Sequence, residues 1–281
     1  FQEVEQMNLF KDMVCYQEEV RDPSRMAEVL NRVIEKAIRG SAPAQINVPR
    51  DYWTQVIDIE LPPIVRFERQ GGGKDAIQRA AKMLSDAKFP VILSGAGVVI
   101  GDAIHECKAL AEKLDAPVCN GYQHNDSFPG SHPLAVGPLG YNGSKAAMQL
   151  ISKADVVLAL GTRLNPFSTL PGYGIDYWPK NANIIQVDMN PDRIGLTKKV
   201  TVGIAGDAKQ VAKQIFDKLS SNAGDSGRED RKNLIHQTKS AWLQTLTSLD
   251  HEDDDPGTVW NKEARERDKD RMSPRQAWRA I

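Results

Sequence analysis

Three stretches decide how this chain folds: ADVVLALGTRL at residues 154–164, NANIIQVDMN at 181–190 and KKVTVGIAGDA at 198–208. Each carries a short apolar run that stops on Gly or Asp. Asp155–Leu160 closes on Gly161-Thr162-Arg163, Asn183–Val187 on Asp188, and Val200–Ala205 on Gly206-Asp207. Branched apolar runs of this length between turn residues suit strands buried on both faces of a parallel sheet. In open α/β sheets ligands collect at the carboxyl ends of such strands, so these ends form the expected ligand edge.

Working outward, the same pattern continues upstream. Pro90-Val91-Ile92-Leu93 reads as a first strand between two helices, 75–87 and 103–114, whose apolar residues recur every three or four positions. A short strand at Pro117-Val118-Cys119 follows, then a loop from Asn120 to Gly143 rich in Gly, Pro, His and Asn. Helices 144–152 and 207–219 flank the three opening stretches. Alternation of this kind from 75 to 219 predicts a doubly wound parallel sheet with right-handed crossovers, a Rossmann-like domain. Ahead of it, Met26, Val29, Leu30, Val33, Ile34, Ala37 and Ile38 form the apolar stripe of a helix opened by Asp22-Pro23-Ser24, and Ala44–Val48 makes a strand. Residues 1–22 show no clear period.

The predicted organisation is therefore α/β throughout, with partial α/β domains on either side of the sheet. Residues 1–60 read as the end of one domain, 61–74 as a linker with Gly71-Gly72-Gly73 as its joint, 75–220 as the central domain, 221–271 as a helix and charged linker, and 272–281 as the start of another domain. Phe1 is not an initiator Met, and Ser273-Pro274 opens what reads as a further helix, so the chain is expected to be cut at both ends.

Composition narrows the function classes. Thirty-six basic residues balance 37 acidic ones without a basic stripe, which argues against a nucleic-acid partner. No apolar run approaches the ~20 residues that span a bilayer, so no membrane partner is expected. Cys15, Cys107 and Cys119 are odd in number and far apart, which fits packing thiols in a reducing cytoplasm. The five histidines lack metal-ligand spacing; His124 and His132 share the long loop, where either a surface role or a substrate-side contact is open.

Candidate site residues each carry two readings. Gly95 and Gly97 in Ser94-Gly95-Ala96-Gly97 either admit an anion to backbone amides or make a tight strand-to-helix turn, since the spacing to Gly101 misses the dinucleotide fingerprint. Arg163 either clamps a phosphate with its planar fork or forms a structural ion pair. Asp188 and Asp207 either accept from ribose hydroxyls or serve a turn and a helix N-cap. The residues alone lead to a nucleotide-capable α/β domain between pieces of two others.

The order of motifs adds a family. Phe1-Gln2-Glu3, then 42–51 (APAQINVPRD), the glycine turn at 95–97, Phe128-Pro129-Gly130-Ser131-His132-Pro133, Gly137-Pro138-Leu139-Gly140 and the three strand ends occur in sequence. The set resembles the thiamine-diphosphate enzymes of the acetolactate synthase group. Residues 121–126 (GYQHND), 140–145 (GYNGSK) and Asn165–Pro179 are similar to the branch that acts on sulfoacetaldehyde. The resemblance implies that an acetyl group passes from sulfoacetaldehyde to phosphate, giving acetyl phosphate and sulfite in sulfonate breakdown. It implies thiamine diphosphate with Mg2+ as cofactor, and a homodimer or homotetramer. The activating Glu would lie before residue 1 and the Gly-Asp-Gly…Asn motif after residue 281, leaving Gln2 on the cofactor side. Central domains of relatives bind FAD or ADP, through positions matching Gly95, Gly97, Arg163, Asp188 and Asp207. Ser94 departs from the ADP-binding pattern, which has Lys there, so an empty site is an alternative expectation. An acetolactate-forming or decarboxylating relative, and a non-catalytic nucleotide-binding or purely structural domain, are the other readings.

Overall fold

The structure, a computed structural model, describes residues 3–63 and 68–251. Gln2, the charged run after His251 and the domain start expected at 272–281 lie outside the described residues. Packing divides the chain after Glu68 into two units.

The first unit is built on two strands and a helix. α1 (Gln6–Phe10) leads to β1 (Tyr16–Glu19), and α2 (Met26–Gly40) connects it to β2 (Ala44–Asn47). β1 and β2 run parallel, with Tyr16 opposite Ala44 and Glu19 opposite Asn47. The Asp22 side chain accepts from the Ser24 amide and opens a 3-10 turn that runs into α2. At the other end Ser41 takes the left-handed conformation at φ 46°. The expected stripe on α2 divides: Val29 and Val33 pack with Val20, whereas Leu30, Ile34 and Ile38 are exposed.

The second unit holds six parallel strands. α3 (Lys74–Asp86) precedes β3 (Pro90–Ser94), then α4 (Ala96–Ile100), α5 (Ile104–Leu114), β4 (Val118–Asn120), β5 (Ala135–Pro138), α6 (Lys145–Ile151), β6 (Val156–Leu160), β7 (Asn183–Asp188), β8 (Val202–Ala205), α7 (Ala208–Lys218) and α8 (Arg228–His251). The strand order is β5-β4-β3-β6-β7-β8. β3 and β6 are buried at every position, which explains their unbroken apolar runs. The chain moves outward from β3 to β4 and β5, then returns through α6 to β6 beside β3. With the direction reversed at β3, α3 and α5 pack with α7 while α6 packs with α8, as two helix layers of a doubly wound sheet would.

Three details depart from the sequence reading. The long loop at 120–143 contains β5, an edge strand whose Ala135-Val136-Gly137-Pro138 carries too little apolar pattern to be seen. The crossovers from β6 to β7 and from β7 to β8 contain short 3-10 turns and no α-helix, so strands and helices do not alternate throughout. Gly71 and Gly72, read as a flexible joint, are packed: a Cβ on Gly72 would fall 2.5 Å from the Ile204 side chain.

α8 is fastened by one side chain. Arg231 is 1% exposed, and its guanidinium donates to the carbonyls of Lys88, Leu114, Asp115, Gly224 and Ser226 at 2.6–3.0 Å. It thereby caps the last carbonyls of α5 and ties them to the turn entering α8.

Candidate functional site

The order of strands reverses between β3 and β6, and at this switch point an open α/β sheet usually leaves a crevice. Here the two strand ends close on each other. The Gly95 amide donates to the Leu160 carbonyl at 3.0 Å and the Gly97 amide to the Gly161 carbonyl at 2.8 Å. A Cβ on Gly95 would stand 2.6 Å from that of Thr162, and one on Gly97 would stand 2.7 Å from the Gly161 Cα. Glycine is needed so that two backbones can touch, and the amides expected to face an anion are already bonded.

Asp207 is also committed. Its Oδ1 accepts from the amides of Lys209 and Gln210, both at 3.1 Å, and its Oδ2 pairs with Arg69 Nη1 at 3.1 Å. One oxygen caps α7 and the other holds Arg69. Arg69 additionally donates to the Gly101 carbonyl at 2.8 Å, joining the end of α4 to the start of α7. Asp188 is buried, and its Oδ1 accepts from the Asn190 amide at 2.9 Å in a turn. Arg163 is exposed, and no carboxylate pairs with it among the described residues. Ser94 turns its hydroxyl into the interior, where it donates to the Ser127 carbonyl at 3.1 Å. The sheet thus brings Gly95, Gly97 and Gly161 together and leaves Arg163 and the second oxygen of Asp188 as the polar groups free to meet a ligand among the predicted set.

Sequence reasoning missed two features of this edge. Gln186, in the middle of β7 and 1% exposed, donates through Nε2 to the carbonyls of Thr162 and Arg193 and accepts from the Gly195 amide at 2.8 Å. It holds the loops after β6 and β7 in register. A glutamine inside an apolar strand was the visible signal. The second feature is aromatic. Tyr122, Tyr141 and Phe167, from the loops after β4, β5 and β6, form a trio with centroids 5.9–6.4 Å apart. The Tyr141 amide donates to the Phe167 carbonyl, and the Tyr122 amide to Ser168 Oγ. Gly140, at φ +80°, admits the Phe167 carbonyl where any side chain would collide. Spacing in sequence gives no hint that these rings meet.

Away from this edge, His132 lies before β5. Its Nε2 is 3.2 Å from Glu112, and its Nδ1 accepts from the Leu134 amide. A cleft of about 730 Å3 opens beside it, between β5 and α8, walled by Leu134, Val136, Ile235, Trp242, Leu243 and Leu246. Among the described residues no group of three His, Cys, Asp or Glu side chains could hold a metal, and no helix is long and apolar enough to cross a membrane.

Comparison with known proteins agrees with this architecture. Residues 77–215 match the family model described as the thiamine pyrophosphate enzyme central domain. All 281 residues align at 78% identity with a probable sulfoacetaldehyde acetyltransferase of Rhizobium meliloti, covering 48% of that protein. They align at 75% with a sulfoacetaldehyde acetyltransferase of Roseovarius nubinhibens, covering 47% of it. The chain therefore spans about half the length of the curated relatives it matches. In structure, 80% of the chain superposes on 42% of benzoylformate decarboxylase from Polynucleobacter necessarius, with a TM-score of 0.65 at 21% identity, which speaks for the fold alone. With its six-stranded parallel sheet inside the matched residues, the chain carries the central domain of the thiamine pyrophosphate enzymes.

Proposed function

We propose that this chain is the central part of an enzyme that converts sulfoacetaldehyde and phosphate to acetyl phosphate and sulfite. The supporting observation is 78% identity over all 281 residues. Thiamine diphosphate, with Mg2+, supplies a nucleophilic carbon for the aldehyde when bound. Its contacts are assigned to Gln2 and to parts of the enzyme beyond this chain. The active unit is a homodimer or homotetramer working in the cytoplasm. Within it the β3–β6 edge serves as a scaffold rather than a nucleotide cradle, supported by the spent amides of Gly95 and Gly97 and the capped Asp207. Arg163 and Asp188 are the positions through which FAD or ADP would still be met.

The test is to express the protein at the length of its relatives and supply sulfoacetaldehyde, phosphate, thiamine diphosphate and Mg2+. Acetyl phosphate and sulfite in equal amounts are expected. Acetolactate from pyruvate, with no acetyl phosphate from sulfoacetaldehyde, overturns the assignment.

A further inference from the structure

The cleft between β5 and α8 holds a lysine in an unusual setting. Lys239 lies half-buried at its rim, and Nζ donates to the Pro133 carbonyl at 2.7 Å and the His132 carbonyl at 3.4 Å. No carboxylate pairs with it among the described residues. Glu112 is within ion-pair distance of Lys108 and His132, and Asp115 of Arg228 and Lys232. Removal from water pushes the Lys239 ammonium below its ordinary value. Both carbonyl bonds survive deprotonation, because a neutral amine keeps two N–H groups and presents its lone pair in the third direction. His236 and Lys232 precede it by about one and two turns of α8 and line the same cleft.

We propose that Lys239 is a self-modification site that takes an acetyl group from an acyl phosphate. The Nζ lone pair attacks the acetyl carbonyl carbon; the C–N bond forms as the carbon–oxygen bond to phosphate breaks. The departing phosphate leaves beside Lys232, and the displaced Nζ proton goes to His236 or to the released phosphate. No oxidant or reductant is involved. The acetylated nitrogen keeps one N–H, so one of the two carbonyl bonds ahead of β5 is lost. The new methyl group enters the apolar cleft. The supply of acetyl phosphate rests on the function proposed above; the chemistry of the site does not.

The test uses the 281-residue chain and synthetic acetyl phosphate, with acetylation of each lysine followed by mass spectrometry. Lys239 is expected to react about tenfold faster than the exposed Lys213 and Lys218, the ordinary lysine being almost wholly protonated at neutral pH. The preference should vanish in denaturant, and His236→Gln should slow Lys239 alone. A rate at Lys239 equal to or below that of the exposed lysines, or a preference that persists in the unfolded chain, overturns the proposal. Because no sulfoacetaldehyde is added, that failure leaves the proposed enzyme activity standing.

Discussion

Gly97 and Gly161 stand back to back: the Gly97 amide reaches the Gly161 carbonyl at 2.8 Å, and a Cβ on either would fall 2.7 Å from the backbone of the other. Gly161 sits at φ +61°, so it needs glycine for its conformation as well. Gly97→Ala is therefore expected to cost about 1–3 kcal/mol through overpacking, read from urea unfolding. Calorimetry of the unaltered chain with ADP and with FAD should give no binding heat. Micromolar binding of either would overturn the reading of this edge as a scaffold.

Arg231 carries more of the fold than its polar neighbours suggest. Arg231→Met leaves the carbonyls of Lys88, Leu114, Asp115 and Ser226 without this donor and Gly224 with Arg228 Nε at 3.3 Å, and each unsatisfied buried group costs about 1–3 kcal/mol. A loss of at least about 3 kcal/mol is expected after some relaxation. Arg231→Lys, with three donors on a point charge, should fall between the two. Chemical denaturation with α8 protection measured by hydrogen exchange checks both variants.

The three thiols differ in access. Cys107 and Cys119 are fully buried and burial raises both, Cys107 to about 12, whereas Cys15 is exposed. This corrects the expectation that all three are packing residues. A thiol reagent should label Cys15 alone in the native chain and all three after unfolding. Rapid labelling of Cys107 under native conditions would contradict the burial of α5.

Acid should loosen the first unit. Hydrogen bonds from Arg25 and Arg32 hold Glu28 down at about 2 against an ordinary 4.5, and bonds from Arg32 and Tyr16 also lower Glu18. A carboxylate depressed in the folded state contributes stability that is present above 4.5 and lost as pH falls toward 2. The groups are solvent-facing, so the effect is small and should shrink further in high salt. NMR titration of Glu28 checks it, and Arg32→Ala should move that titration upward.

The legible parts of the chain were those whose signals are local. Val91-Ile92-Leu93 and Val156–Leu160 could only be buried strands, and Ile77, Ala80, Ala81 and Leu84 share the buried face of α3 as their spacing predicts. Asp207 followed by a helical pattern announced an N-cap. What was illegible depends on distant partners. β1 is polar and exists through pairing with β2, and β5 through pairing with β4. Arg231 looks like any surface arginine until five carbonyls converge on it. The Gly95-x-Gly97 turn was ambiguous for a different reason: a missing side chain admits a ligand and a neighbouring backbone equally well. Only the position of Gly161 decides between them.

The crossover from β6 to β7 has a consequence for how such an enzyme changes over time. A helix there would have to pack on the sheet, so each substitution would be weighed by the core. Residues 161–182 instead bear a short 3-10 turn and loops that expose Phe167 and Tyr173, anchored mainly by Thr197, Gln186 and Gly143 through backbone carbonyls or a hydroxyl. Leu164 and Tyr177 enter the core and are weighed by it, whereas the exposed side chains between them can be exchanged without taxing the sheet. Sequence can drift at those exposed positions while the architecture beneath them is inherited intact.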